Sequence, residues 1–210
     1  MCRSKLTPGL AWVIGAMMSA STMASPIVGT GLPSSNAALA GGSVIDFDSD
    51  AAGTSAVTLN YPGVSMTGDG TLRISNAFDG SYNVAGNALA LTTNDNVKEV
   101  IFSFTGPVDA FGFNIGGTDT AGTWSMVAYA ATGIVLDSQA IPTMGNSNAG
   151  EFFGLAMPGI ASAKLSNTGD ADYVVLDNFT YLSSVPEPVS IALVCIGLVG
   201  MGYRRRKQVP

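Results

Sequence analysis

Carboxylates are the groups with most chemistry to offer in this 210-residue chain, which has no histidine. Without His there is no Ser–His–Asp triad and no Cys–His pair, and the two Cys cannot close a structural zinc site. Asp46, Asp48 and Asp50 alternate along and after one apolar run, and Asp177 lies inside the last one. Asp177 has the strand parity of Tyr173, Val175, Phe179 and Tyr181, so its carboxylate points inward if that face is the core. A buried carboxylate needs hydrogen-bond donors or a cation. Backbone N–H groups at the rim of the fold are the favoured partners. Calcium held by Asp46, Asp48 and Asp177 is the alternative, since that ion takes roughly six to eight oxygen ligands. The alternating aspartates are not an EF-hand, because Ala51 stands where Gly is needed and Val57 where a bidentate Glu is needed.

Aromatic side chains are the second resource. Trp124, Tyr61, Tyr82 and Tyr129 have flat apolar faces on which a sugar ring can stack. Trp124 and Tyr129 have opposite strand parity, and core packing is the favoured reading for them. Two or more exposed aromatics on one sheet face or in one loop cluster would favour sugar binding. Glu99, Glu151 and many Asp supply carboxyls for glycoside hydrolysis, but no motif marks a pair. Gly41-Gly42 and Gly116-Gly117 read as turn glycines; neither opens a helix, so no phosphate cradle is expected. Residues 25–184 carry 3 basic and 14 acidic side chains, which excludes a nucleic-acid footprint. The chain is read as not an enzyme.

The elements that must position these groups are strands. Short apolar or alternating runs rich in Val, Ile, Thr, Phe and Tyr occupy 43–47, 56–61, 64–67, 71–75, 89–92, 99–105, 108–115, 123–130, 134–141, 152–157, 162–167 and 173–182. Gly, Asn, Asp and Pro separate them at the spacing of sandwiches and barrels. Gly106-Pro107 suggests a bend, and Ala131-Thr132-Gly133 a hairpin turn. No run has a helical period. The expected fold is all-β, a sandwich over 43–183 preceded by an extended Gly- and Ser-rich leader at 25–42.

The two ends differ in kind. Arg3 and Lys5 precede an apolar stretch at 10–18 and a small-residue stretch ending at Ala24, the order of a signal peptide over 1–24 cut between Ala24 and Ser25. Residues 184–210 contain Val185-Pro186-Glu187-Pro188, an uncharged stretch at 189–203, and Arg204, Arg205, Arg206 and Lys207. The prolines break regular structure, and the uncharged stretch is short for a lasting span, which needs about 20 residues. The cations should stay cytoplasmic, which places the body outside. Both cysteines, Cys2 and Cys195, lie in these ends, so the body must fold without disulfides.

This tail resembles the PEP-CTERM sorting signal of Gram-negative bacteria. The resemblance implies recognition of Glu187 and its flanking prolines by an exosortase, transient anchoring in the inner membrane, and delivery to the cell surface or an exopolysaccharide matrix. The body resembles the jelly-roll sandwiches found ahead of such tails, similar in layout to carbohydrate-binding modules. The carrying residues are Val44-Ile45-Asp46-Phe47, the step from Phe104 to Val108 into Phe111-Gly112-Phe113, Ala131-Thr132-Gly133, Phe152 to Leu155, and Val175 to Tyr181. That likeness implies a non-catalytic sandwich. Extracellular polysaccharide is then a partner for the body, and calcium a structural ion.

Overall fold

The computed structural model describes residues 25–92, 97–119, 123–145, 147–169 and 172–184. The signal peptide, the Val185–Pro188 motif, the hydrophobic sorting helix expected after it and the Arg204–Lys207 cluster lie outside these residues. Within them the secondary structure is nearly all β, with one 3-10 turn at Pro33–Ser35. The strands are β1 (Ser25–Thr30), β2 (Ser43–Ile45), β3 (Ser55–Tyr61), β4 (Val64–Ser75), β5 (Ala88–Thr92), β6 (Glu99–Gly116), β7 (Trp124–Tyr129), β8 (Val135–Ala140), β9 (Glu151–Asn167) and β10 (Tyr173–Ser183).

Three of these strands are each two of the expected runs joined. β4 continues through Gly68-Asp69-Gly70, β6 through Gly106-Pro107, and β9 through Pro158-Gly159. The β6–β9 register shifts between Ser103 and Val108 and again before Ala110. Strands that bend at such points turn the corner from one sheet to the other. The front sheet is β1, the first half of β9, the second half of β6, and β10, whose far edge is shared by β2 and β5, with the second half of β4 paired beyond β5. The back sheet is β3, β4, the first half of β6, the second half of β9, β7 and β8. All of these pairings are antiparallel. The hairpin at Ala131-Thr132-Gly133 forms as expected, with Gly133 at φ 79 and its N–H donated to the Ala130 carbonyl.

The core between the sheets is aromatic. Phe179 packs among Phe102, Phe104, Phe111, Phe113 and Tyr181, with ring centroids 4.7 to 6.3 Å away. Met66, Leu165, Met126 and Trp124 extend the same buried cluster across the back sheet.

Residues 25–42, expected as an extended leader, are part of the sandwich. β1 pairs with β9 over its whole length. Behind it Leu39 is fully buried in a small second cluster with Ile27, Ala110 and Phe152, on the outer face of the front sheet. Ile27, Gly154, Gly112 and Thr180 lie in one row across that sheet. Gly112 leaves space that Leu39 fills, since a Cβ there would stand 3.0 Å from the Leu39 side chain. The sequence gives no sign of this role, because the segment's apolar residues, Ile27-Val28, Leu32 and Ala37 to Ala40, follow no strand or helix period.

The register also fixes where the chain enters and leaves. Ser25 lies opposite Ala156, Ala156 opposite Ala110, and Ala110 opposite Leu182. The first residue of β1 and the end of β10 therefore share one rim, three strand spacings or about 14 Å apart. Ser184 is held at this rim, its N–H donated to the Pro107 carbonyl and its hydroxyl to the Asp109 carboxylate.

Candidate functional site

The opposite rim of the front sheet, where β10 begins and β1 and β6 end, gathers most of the unusual chemistry. Asp177 is buried there, 1% exposed. It does not point into the core beside Phe179 and Tyr181. Asp177 pairs with Asn114 but Thr180 with Gly112, so β10 has one extra residue at this point. Asn178 takes the left-handed conformation, φ 49, and is that bulge. Parity inverts across it. Val174, Leu176, Phe179 and Tyr181 face the main core, whereas Val175 joins a separate outer cluster with Val84, Ala88 and Ala90.

The outward Asp177 is covered by the segment between β4 and β5. One carboxylate oxygen accepts the Asn178 N–H at 2.6 Å and the other the Ala85 N–H at 3.1 Å. The next two N–H groups of that segment are also taken by aspartates. Gly86 donates to Asp79 and Asn87 to Asp48, each at 2.8 Å. Three successive backbone donors are thus satisfied by three separate carboxylates, the role favoured for Asp177. Asp46 accepts the Asp48 N–H at 3.2 Å. Burial raises the Asp177 carboxyl to about 6; the two backbone N–H groups pull it down, and the charges of Asp48 and Asp46 push it up. Among the described residues no three His, Cys, Asp or Glu side chains come together in an arrangement that could hold a metal ion. Asp50, the last of the alternating series, instead accepts the Tyr61 hydroxyl at 2.7 Å.

The segment held by these aspartates carries Phe78 and Tyr82. With Tyr173 at the start of β10 they form a cluster on the outer face. Phe78 meets Tyr82 edge-on at 5.7 Å and Tyr173 at a tilt at 4.9 Å. The three rings, with Gly117, Asp119 and Val175, line a cavity of about 150 Å³. Its walls are fixed from behind. Tyr82 and Asn83 are both left-handed, at φ 55 and 65, a conformation that costs a bulky residue such as Tyr82 on the order of 1–3 kcal/mol and Asn less. Asn148 accepts the Asn83 N–H at 3.1 Å and donates to the Gly80 carbonyl at 2.8 Å. The Asn83 amide donates to the Ile115 carbonyl at 2.8 Å. Gly116 is required here, because any Cβ would collide with the Tyr82 carbonyl. On the other wall, buried Asp172 accepts the Tyr173 N–H at 2.9 Å, the Asp119 N–H at 3.3 Å and the Trp124 indole N–H at 2.7 Å.

Trp124 is therefore not a stacking platform. It is 1% exposed within the main core, and its polar tip braces the pocket from behind. Tyr129 is half-buried on the opposite face of β7, as the parity implied, and stands beside Lys164 of the back sheet. Of the aromatics singled out, Tyr82 alone reaches the pocket. Phe78, Tyr173 and Asp119 were missed. The signal for Phe78 and Tyr82 was available: both sit in a polar, turn-forming interval, Asn76 to Asn83, where no core-facing period calls for an aromatic ring.

The two glutamates of the body are occupied elsewhere. Glu99 pairs with Lys164 at 2.9 Å on the back sheet. Glu151 accepts the Ser147 hydroxyl at 2.6 Å; burial alone would raise its carboxyl, but that bond and backbone N–H groups hold it below the ordinary value.

Residues 184–207 match the PEP-CTERM protein-sorting motif. That motif is a substrate signal for exosortase processing and marks an exported protein. No curated protein matches the sequence. Among solved structures, the K2 cleaved adhesin domain of Lys-gingipain is 12% identical, with a TM-score of 0.34, over 75% of this chain and 99% of that one. The family 11 carbohydrate-binding module of the cellulosomal cellulase Lic26A-Cel5E of Clostridium thermocellum is 10% identical, with a TM-score of 0.31, over 70% and 98%. No helix among the described residues is long and apolar enough to cross a membrane.

Proposed function

We propose that this chain is a non-catalytic protein of the cell surface or the exopolysaccharide matrix, exported by its N-terminal signal and released or transferred through its tail by an exosortase. The ordered C-terminal signal carries the reading: an acidic residue between two prolines, an uncharged stretch too brief for a lasting span, and four cations. Its test is the intact mass of the protein in the native producer, with Pro186, Glu187 and Pro188 as they stand and all replaced by Ala. The wild-type chain should lack both ends, and the variant should keep its tail and stay with the membrane. A variant processed and placed like the wild type would overturn the proposal.

A second reading makes the sandwich a carbohydrate-binding module. What favours it is the cluster at one rim of Phe78 and Tyr82, half-buried in the segment between β4 and β5, with the exposed Tyr173 at the start of β10. A structural calcium at Asp46, Asp48 and Asp177 belongs to this reading. Asp46 and Asp48 act on the buried Asp177 through their charge, and calcium would have to draw the three together, since they do not gather into a ligand set in the structure. Melting in millimolar calcium and in chelator tests it. A rise with calcium that Asp177→Asn abolishes would support the site, and identical melting would remove it.

A further inference from the structure

We propose that the cavity walled by Phe78, Tyr82 and Tyr173 is a subsite for one ring of a neutral polysaccharide. The proposal rests on the carbohydrate-binding reading and gives it a location, a ligand class and a charge preference.

The ligand follows from the lining. A cavity of about 150 Å³ holds one six-membered ring. A pyranose has faces of C–H groups and a periphery of hydroxyls. The faces match the Phe78, Tyr82 and Tyr173 rings. Asp119 is exposed at the mouth and supplies an acceptor for hydroxyl protons. The same carboxylate, on a body with 14 acidic and 3 basic side chains, repels an anion. Neutral hexose units therefore fit, and uronic acids, sialic acids and phosphates do not.

The site is built rather than incidental. Two successive residues of its wall are held left-handed, three aspartates pin the segment that carries it, and Asp172 ties Tyr173 and Asp119 to the core tryptophan. A wall ordered before the ligand arrives loses little entropy on binding. The rings add nothing to the main core, from which Phe78 and Tyr82 are separated by the front sheet. The pocket also lies at the rim opposite residues 25 and 184, so a chain still held by either end presents it outward.

The test uses the processed protein from the native producer in gels containing one polysaccharide at a time. The panel is β-glucan, galactan and mannan as neutral polymers, with alginate and polygalacturonate as acidic ones. Retardation is expected in at least one neutral gel and in neither acidic gel. Tyr173→Ala and Phe78→Ala should each weaken it by about tenfold or more, and Tyr129→Ala should leave it unchanged. Tyr173 is 36% exposed, so its variant keeps the measurement alive if Phe78→Ala does not fold. Retardation that both variants retain would overturn the pocket and leave carbohydrate binding standing. Retardation in the acidic gels alone would overturn the charge preference and the assignment with it. Mobility unchanged by every polysaccharide would overturn the carbohydrate reading itself.

Discussion

Asp177 shows how one side chain ties folding to pH. Its carboxyl is raised from 3.8 to about 6, so the folded chain keeps this proton where the unfolded chain has lost it. Its contribution to stability is therefore greatest below about pH 4 and is lost as pH rises through 6. The loss is on the order of 3 kcal/mol, because each tenfold difference in proton affinity between the folded and unfolded chain is worth about 1.4 kcal/mol. In calcium-free buffer with chelator, the melting temperature of the wild type should fall between pH 4 and pH 6.5. Asp177→Asn should flatten that slope, whatever it does to stability itself. A slope shared by both proteins would show that other groups set it. Glu151 acts in the opposite sense: its lowered carboxyl adds stability that is lost under more acid conditions, so it offsets part of what Asp177 contributes at the acid end.

At the scale of elements, the bends and the bulge decide more than the strands do. β4, β6 and β9 each serve both sheets, so the sandwich is closed along those strands by continuous backbone. Gly154 lies in the front sheet beside β6, and a Cβ there would collide with the Phe111 carbonyl. Gly154→Ala should cost about 3 kcal/mol in urea denaturation, since backbone cannot yield as a side-chain tip can. Residues 25–42 act as a plug on the outer face. Leu39→Ala empties a fully buried position and should cost about 2–5 kcal/mol. A Leu39 variant as stable as the wild type would return that segment to the status of a leader. Along β10 the alternation of side chains was legible on each side of Asn178 taken separately. Nothing in the local sequence announced that the period slips there, because Asn in the left-handed region costs little and leaves the hydrophobic pattern intact.

At the scale of the molecule, the sandwich has two unlike ends. Residues 25 and 184 are at one rim, and the aromatic pocket is at the other, roughly 30 Å away along β10. The apolar stretches at 10–18 and 189–203 both continue the chain from the first rim. In the full chain reconstituted in vesicles, with Cys2 and Cys195 replaced by Ser, a fluorophore on Thr105→Cys, near the β6 bend, should be quenched by a headgroup-bound quencher. One on Ser81→Cys, beside the pocket, should escape. Equal quenching would mean that the body lies flat on the surface. The attachment is also short. Ser184, the first residue of the matched sorting motif, is itself hydrogen-bonded to the rim, so a processing enzyme must work close against the folded body.

Composition and order along the chain were enough to mark the sorting motif at the tail and the class of fold. A charge–apolar–small start, a Pro-Glu-Pro elbow before a short uncharged stretch with cations behind it, and β-branched runs broken by turn residues are all local features. They keep their meaning wherever the chain goes. The aromatic pocket was not local. Phe78 and Tyr82 meet Tyr173 only because β5 and β10 pair and because Gly116 lets a loop lie on the sheet. Asp48, Asp79 and Asp177 come from three separate parts of the chain to hold three neighbouring N–H groups. Trp124, the most obvious sugar platform on paper, is drawn inward because its ring is large and apolar and Asp172 satisfies its one donor. Which aromatic rings face solvent is decided by how the sheets close, and closure depends on pairings between residues far apart in the chain.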